Sequence, residues 1–362
     1  MGLAILALHA PPLSAQTKKE KEQAKKLEET ANKAFAQKDY ATAAATYGQS
    51  LALVANNPRG HYSKGFAHFN LKEYDKAVSE FTLALSQGFT PPLEIYRTRA
   101  YIYKEQKNYD AAIADIQKAL TLAPRDLPLM KGLGEAYLLK SDIPAAREAL
   151  IKASAAAPND ADIHYNLAQV YLATGDVKLQ GVEADLALAK GTRFPGEAFN
   201  LLADARLKQR DIPGAIEAYQ RAIQSKPELH DVYRTLSEIF RSEGRLNEAI
   251  ETSKKGLIAF PNDGYFYTDL SWYYSLSDRP DDAVNAAKAG ISQLPNVYTA
   301  YTNLCRAYND IKQYDQAITA CNQALKLNPG DGETYFYLGR AFILQGRTAE
   351  ANTAFKKAVA GL

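Results

Sequence analysis

His61 and His68 stand seven residues apart, a spacing that puts both imidazoles on one side of a helix. Two rings so placed could hold a metal ion or relay a proton. No CxxC, HExxH or mixed His/Cys grouping with metal-ligand spacing accompanies them. His164 recurs in the column of His61 in the pattern described below, so packed core histidines are favoured over ligands. The chain has only two thiols, Cys305 and Cys321. They read either as two small apolar side chains or, in an oxidising compartment, as a disulfide. No nucleophile and base share a defensible spacing, and no glycine-rich phosphate loop occurs. The expectation is therefore a chain with no catalytic residue, no metal and no cofactor.

Such side chains need elements to hold them. Of 362 residues, 46% are apolar and 23% charged, enough apolar material for a folded core. Forty-three basic residues against forty-one acidic ones leave a formal charge of +2, which provides no electrostatic pull toward nucleic acid. The first residues, "MGLAILALHAPPLSAQ", run apolar from Leu3 to Leu8 and reach Ser14-Ala15 before a charged stretch. This reads as a signal peptide over residues 1–15, with cleavage near Ala15 and export to the periplasm or medium. If the segment is a plain apolar tail, the chain stays in the cytoplasm. No stretch is long enough to be an integral membrane segment.

From there to the end the chain repeats itself. Starts at 24, 58, 93, 127, 161, 196, 230, 264, 298 and 332 are 34 or 35 residues apart. The eighth residue of every copy is small: Ala31, Gly65, Ala100, Gly134, Ala168, Ala203, Ser237, Ser271, Cys305 and Gly339. The twentieth is alanine in every copy except the fifth, where Gln180 stands. The twenty-seventh is again always small. Apolar residues three and four apart between these columns predict two amphipathic helices per copy. Pro124, Pro158, Pro227, Pro261, Pro295 and Pro329 end the second helix, and a following Asp or Asn can cap the next. One such hairpin cannot bury its apolar face alone, whereas a stack forms a core.

In these columns the chain resembles the tetratricopeptide repeat family. The ninth copy carries the resemblance in Tyr301, Leu304, Cys305, Tyr308, Ala317, Ala324 and Pro329. The resemblance implies an all-α fold, a right-handed α-solenoid superhelix of helix hairpins over residues 16–362. The weak second helix of copy five suggests a soft joint at 177–195. The family usually closes its last repeat with a polar helix. The array stops at Leu362 inside its tenth second helix, which suggests self-association, a docked partner or a truncated gene.

In this family the first helices line a concave groove, reached by residues two, five, six, nine, twelve and thirteen of each repeat. Those columns give Tyr165, Asn166, Arg234, Thr235, Asp269, Trp272, Asn303, Arg306 and Arg340 as a peptide-binding set. Asn and Thr can bond an extended backbone, and Trp272, the single tryptophan, suits an anchor unless it packs on its neighbours. Tyr62, Phe66 and Tyr101 form a second aromatic patch in earlier repeats. Groove charges are mixed. Some family members clamp acidic chaperone tails with Lys fifth and Asn ninth in one repeat, then Asn sixth in the next. Here Glu28, Asn32 and Ser63 fill the first such register, which disfavours that role.

The expected function is a non-catalytic scaffold that binds a protein or peptide in its groove, within a bacterial-type envelope. One alternative is a structural protein that stacks into homo-oligomers through its last repeat. A weaker one is the repeat subunit of a split enzyme.

Overall fold

The computed structural model describes residues 17–360. The expected signal peptide, with its cleavage site near Ala15, and the terminal Leu362 lie outside the described residues. The chain forms two compact units that divide between Pro158 and Asn159. The first contains α1 (Lys18–Ala36), α2 (Tyr40–Leu53), α3 (Pro58–Asn70), α4 (Tyr74–Ser86), α5 (Leu93–Glu105), α6 (Tyr109–Leu122), α7 (Leu127–Leu139) and α8 (Ile143–Ala156). The second contains α9 (Ala161–Thr174), α10 (Val177–Ala189), α11 (Pro195–Lys208), α12 (Ile212–Ser225), α13 (His230–Ser242) and α14 (Leu246–Ala259). It continues with α15 (Gly264–Leu276), α16 (Pro280–Gln293), α17 (Tyr298–Asp310), α18 (Tyr314–Leu327), α19 (Gly332–Leu344) and α20 (Thr348–Ala360). No described helix is long and apolar enough to cross a membrane. The molecule is thus an all-α array of helix hairpins.

Each hairpin turns the same way. The fifteenth residue of every repeat has positive φ: Lys38, Lys72, Lys107, Ser141, Gly175, Arg210, Gly244, Asp278, Lys312 and Gly346. The next amide then donates back to the carbonyl of residue eleven, as from Asp39 to Ala34 and from Gln313 to Tyr308. This closes the end of the first helix with a left-handed turn. Only three of the ten are glycine, so seven side chains bear the strain of that conformation. Asp39, Asn108, Asp142, Asp176 and Asp211 then cap the second helix through their side chains. Between repeats, Asp126, Asp160, Asp263 and Asp331 cap the next first helix, each two residues after a proline.

The small eighth residue faces the twenty-fourth across the hairpin. A Cβ on Gly65 would lie 2.7 Å from the Phe81 ring, and one on Gly339 would lie 2.6 Å from Phe355. Gly134 receives Leu150 in the same manner. In the ninth repeat this pair is Cys305 and Cys321. They are disulfide-bonded and fully buried, with Cα atoms 5.2 Å apart.

Polar pairs are buried in the same hairpins. His61 Nδ1 meets Glu80 Oε2 at 2.6 Å and His164 Nδ1 meets Glu183 Oε2 at 2.6 Å, in each case joining the fourth and twenty-third residues of a repeat. Burial works to raise the Glu80 carboxyl, but hydrogen bonds from Lys64 and His61 outweigh it and hold it below the ordinary carboxylate range. His68 has its own partner, Glu73, at 2.6 Å. In the third repeat Arg99 forks onto buried Asp115 at 2.8 and 3.0 Å. Burial still pushes the Asp115 carboxyl above its usual value.

Residues 177–195 comprise α10, the turn after it and the first residue of α11, inside the second unit. Gln180, where other repeats place alanine, is fully buried and donates from Nε2 to the Leu201 carbonyl at 2.8 Å. The residue that breaks the alanine column therefore stitches α10 to α11.

Candidate functional site

The first helices α13, α15, α17 and α19 surround one cavity that takes in four of the nine expected groove residues. Arg234, Asp269, Trp272 and Asn303 line this cavity of about 280 Å³. Its other walls are Tyr265, Thr268, Tyr298, Thr299, Thr302 and Glu333.

Hydrogen bonds hold this wall in place. Asn303 Nδ2 donates to the Thr268 carbonyl at 3.0 Å, tying α17 to α15. Thr302 and Thr334 share a buried hydroxyl contact of 2.6 Å between α17 and α19. Arg234 Nε donates to Asp269 Oδ2 at 3.0 Å, and its guanidinium lies 5.1 Å from the centre of the Tyr265 ring. Burial pushes the Asp269 carboxyl upward despite that arginine.

Trp272 is half-buried. Its indole has two guanidinium neighbours, Arg241 at 4.5 Å and Arg306 at 5.7 Å, and Tyr273 stacks beside it at 6.2 Å. The tryptophan thus packs against its neighbours and lines the cavity at once.

Arg306 is buried to 6% exposure, with Tyr337 at 5.7 Å. Its Nη2 donates to Asn303 Oδ1 at 3.1 Å and its Nη1 to the Tyr337 hydroxyl at 3.4 Å. The Nε atom is buried without a partner.

The remaining candidates sit apart from the cavity. Arg340 pairs with Asp310 at 3.1 Å on the neighbouring helix. Thr235 is half-buried on α13 and does not line the cavity. Tyr165 on α9 packs on Phe194 with tilted rings 4.9 Å apart, and burial pushes its hydroxyl up to about 12. Asn166 is buried, with its Nδ2 unpartnered and its Oδ1 accepting from Gln169 at 3.3 Å.

In the first unit Tyr62 and Phe66 meet edge to face at 4.9 Å. They line a cavity of about 310 Å³ with Asn32, Phe35, Tyr47 and Ser63. Tyr101 does not join them; it is 48% exposed and rests on Phe69 at 5.8 Å. Glu28, in the clamp register, accepts from Ser50 and Asn57 inside the first repeats.

The walls missing from the expected set are Tyr298, the first residue of its repeat, Tyr265, Thr299 and Glu333, the second residues of theirs, and Thr268 and Thr302, the fifth. The fifth column supplies Tyr165 and Arg234, but its threonines lack the aromatic or charged character that marks an anchor.

Family models described as Tetratricopeptide repeat match residues 29–93, 103–164, 200–264, 298–331 and 320–351. The Hsp70-Hsp90 organising protein of Plasmodium falciparum is 30% identical over 95 residues, 25% of this chain and 17% of that protein. Heat shock protein STI1 of Saccharomyces cerevisiae is 29% identical over 103 residues, 28% of this chain and 17% of that one. The match thus spans about a sixth of each relative's length. Among solved structures, the C-terminal part of a TPR repeat-containing protein from Cytophaga hutchinsonii superposes with a TM-score of 0.53 at 18% identity. It covers 63% of this chain and 98% of that one, a likeness of fold. MamA is 25% identical with a TM-score of 0.42, covering 46% of this chain and 91% of its own. With its recurring hairpins matched along most of their length, the chain belongs to the tetratricopeptide repeat family.

Proposed function

We propose that this protein is a non-catalytic scaffold whose second unit holds an extended peptide or protein segment along α13, α15, α17 and α19. The observation that carries this reading is the cavity beside Trp272, where aromatic faces alternate with hydroxyls and a side-chain amide. That mixture suits a peptide, since rings cover apolar side chains while Thr and Asn oxygens and amides serve its backbone. The same reading has the protein act outside the reducing cytosol, and the buried Cys305–Cys321 bond supports it.

A photo-crosslinking residue in place of Tyr265, which is exposed inside the cavity, should capture a partner in the producing cell. The same residue in place of Ile258, 81% exposed on α14, is the control. Adducts from position 258 with none from 265 would sink the groove reading.

A second reading, end-to-end self-association, draws on Ile343, Leu344 and Val359, exposed apolar residues on α19 and α20. It predicts a mass that rises with concentration in light scattering. A constant monomer mass would rule it out.

A further inference from the structure

We propose that Arg306 receives a ligand carboxylate, so that the cleft takes a peptide carrying aspartate or glutamate beside an aromatic or branched apolar residue. This rests on the groove reading above and specifies its ligand.

Arg306 differs in one respect from the other arginines at this site. Arg234 pairs with Asp269, Arg241 with Glu238 and Arg340 with Asp310. Arg306 is more buried than these, yet no described carboxylate lies within ion-pair distance of it. Asp310, one turn further along α17, is bonded by Arg340 and feels the Arg306 charge only through space. A buried cation outside ion-pair contact is costly, because it has given up water for no more than a through-space attraction to Asp310 that Arg340 shares. The rings of Trp272 and Tyr337 offset part of that cost, since a cation is attracted to an aromatic face.

Hydrogen bonding is incomplete as well. A guanidinium carries five N–H donors. Two are used here, toward Asn303 and Tyr337, both neutral acceptors, and Nε has no partner. A carboxylate at the remaining donors would form charge-assisted bonds in a water-poor setting, the stronger class of hydrogen bond.

Arg306 lies behind the cavity wall rather than in it. Asn303 and Trp272 line the cavity, and both touch the Arg306 guanidinium. Tyr265 and Trp272 provide aromatic surface for the neighbouring ligand side chain. Glu333, another wall of the cavity, is exposed and disfavours a second acid beside it. The preferred segment is therefore acidic at one position rather than throughout.

The test is selection from a displayed library of random short peptides on the whole protein. Enriched peptides are then resynthesised in Glu and Gln forms, or Asp and Asn forms. Trp272, the single tryptophan, reports occupancy by fluorescence. The expected result is enrichment of an acid next to an aromatic or branched residue, with the amide form binding about tenfold or more weakly. Arg306→Gln should abolish the distinction between the two forms, and Arg306→Lys should keep part of it. The comparison within the unaltered protein stands even if Arg306→Gln fails to fold. Peptides that perturb Trp272 but bind equally as acid and amide overturn the proposal and leave the groove reading standing. An acid preference that survives Arg306→Gln removes it from this residue. Failure to enrich any peptide overturns the groove reading and the proposal with it.

Discussion

Cys305 on α17 and Cys321 on α18 are bonded at the point where Gly65 faces Phe81 in the second repeat and Gly339 faces Phe355 in the tenth. The bond replaces a packing contact at the closest approach of two helices. Cys305 directly precedes Arg306 on α17.

Removing that bond should be felt locally. Closing a loop of this length is worth about 3 kcal/mol. Cys305→Ala with Cys321→Ala, or reduction, should speed amide hydrogen exchange in α17 and α18 far more than in α11 and α12. Repeat arrays open in nearest-neighbour steps, so a local readout serves better than one unfolding midpoint. Equal exchange with and without the bond would show that packing alone holds this hairpin.

The left-handed turn offers a stabilising change. Lys312 and Lys107 adopt φ of 61° and 58°, where a side chain crowds its own backbone. Lys312→Gly should raise stability by roughly 0.5–1 kcal/mol, and Gly175→Ala should lower it by a similar amount. Chemical denaturation of the two variants should shift in opposite directions. A loss on Lys312→Gly would mean that unfolded-chain entropy outweighs relief of strain.

Gly65 and Phe81 should behave as a coupled pair. Gly65→Ala drives a methyl into the ring and should cost about 1–3 kcal/mol. Phe81→Leu in the same chain should recover part of that loss, giving an interaction term in a double-mutant cycle. Strict additivity would refute the contact.

His230 should make stability depend on pH. Hydrogen bonds to Asp231 and Asp263 raise its folded pKa above the ordinary imidazole value, with burial opposing them. A raised histidine contributes stability that is fully present below its unfolded pKa, about 6.5. The contribution fades as pH rises through the folded value. The wild type should therefore lose stability on the alkaline side of pH 6.5 more steeply than His230→Gln, by denaturation at a series of pH values. Parallel profiles would show that solvent screens the half-exposed ring from Asp263.

The columns of Gly134, Ala146 and Ala153 were legible because they restate a local rule: two helices a few residues apart must pack closely. Asp126 and Asp331 were legible as caps for a similar reason, since their bonds reach only three residues ahead. The positive φ of Lys312 was hidden, because a lysine does not announce a left-handed turn. The hydrogen-bonded pair of His164 and Glu183 was hidden too. The histidine column was seen, but its glutamate partner lies on the other helix of the hairpin.

By itself the sequence determined the repeat length, the hairpin and the faces that must be buried. These follow from helical period and from contacts that recur at a fixed chain spacing. Only the tertiary structure decided which charges cancel. Arg234 finds Asp269 thirty-five residues away, while Arg306 is left among rings with no acid in ion-pair contact. A column of residue types does not contain that outcome. Ion pairing between neighbouring helices depends on side-chain direction and burial, and these exist only once the helices have stacked.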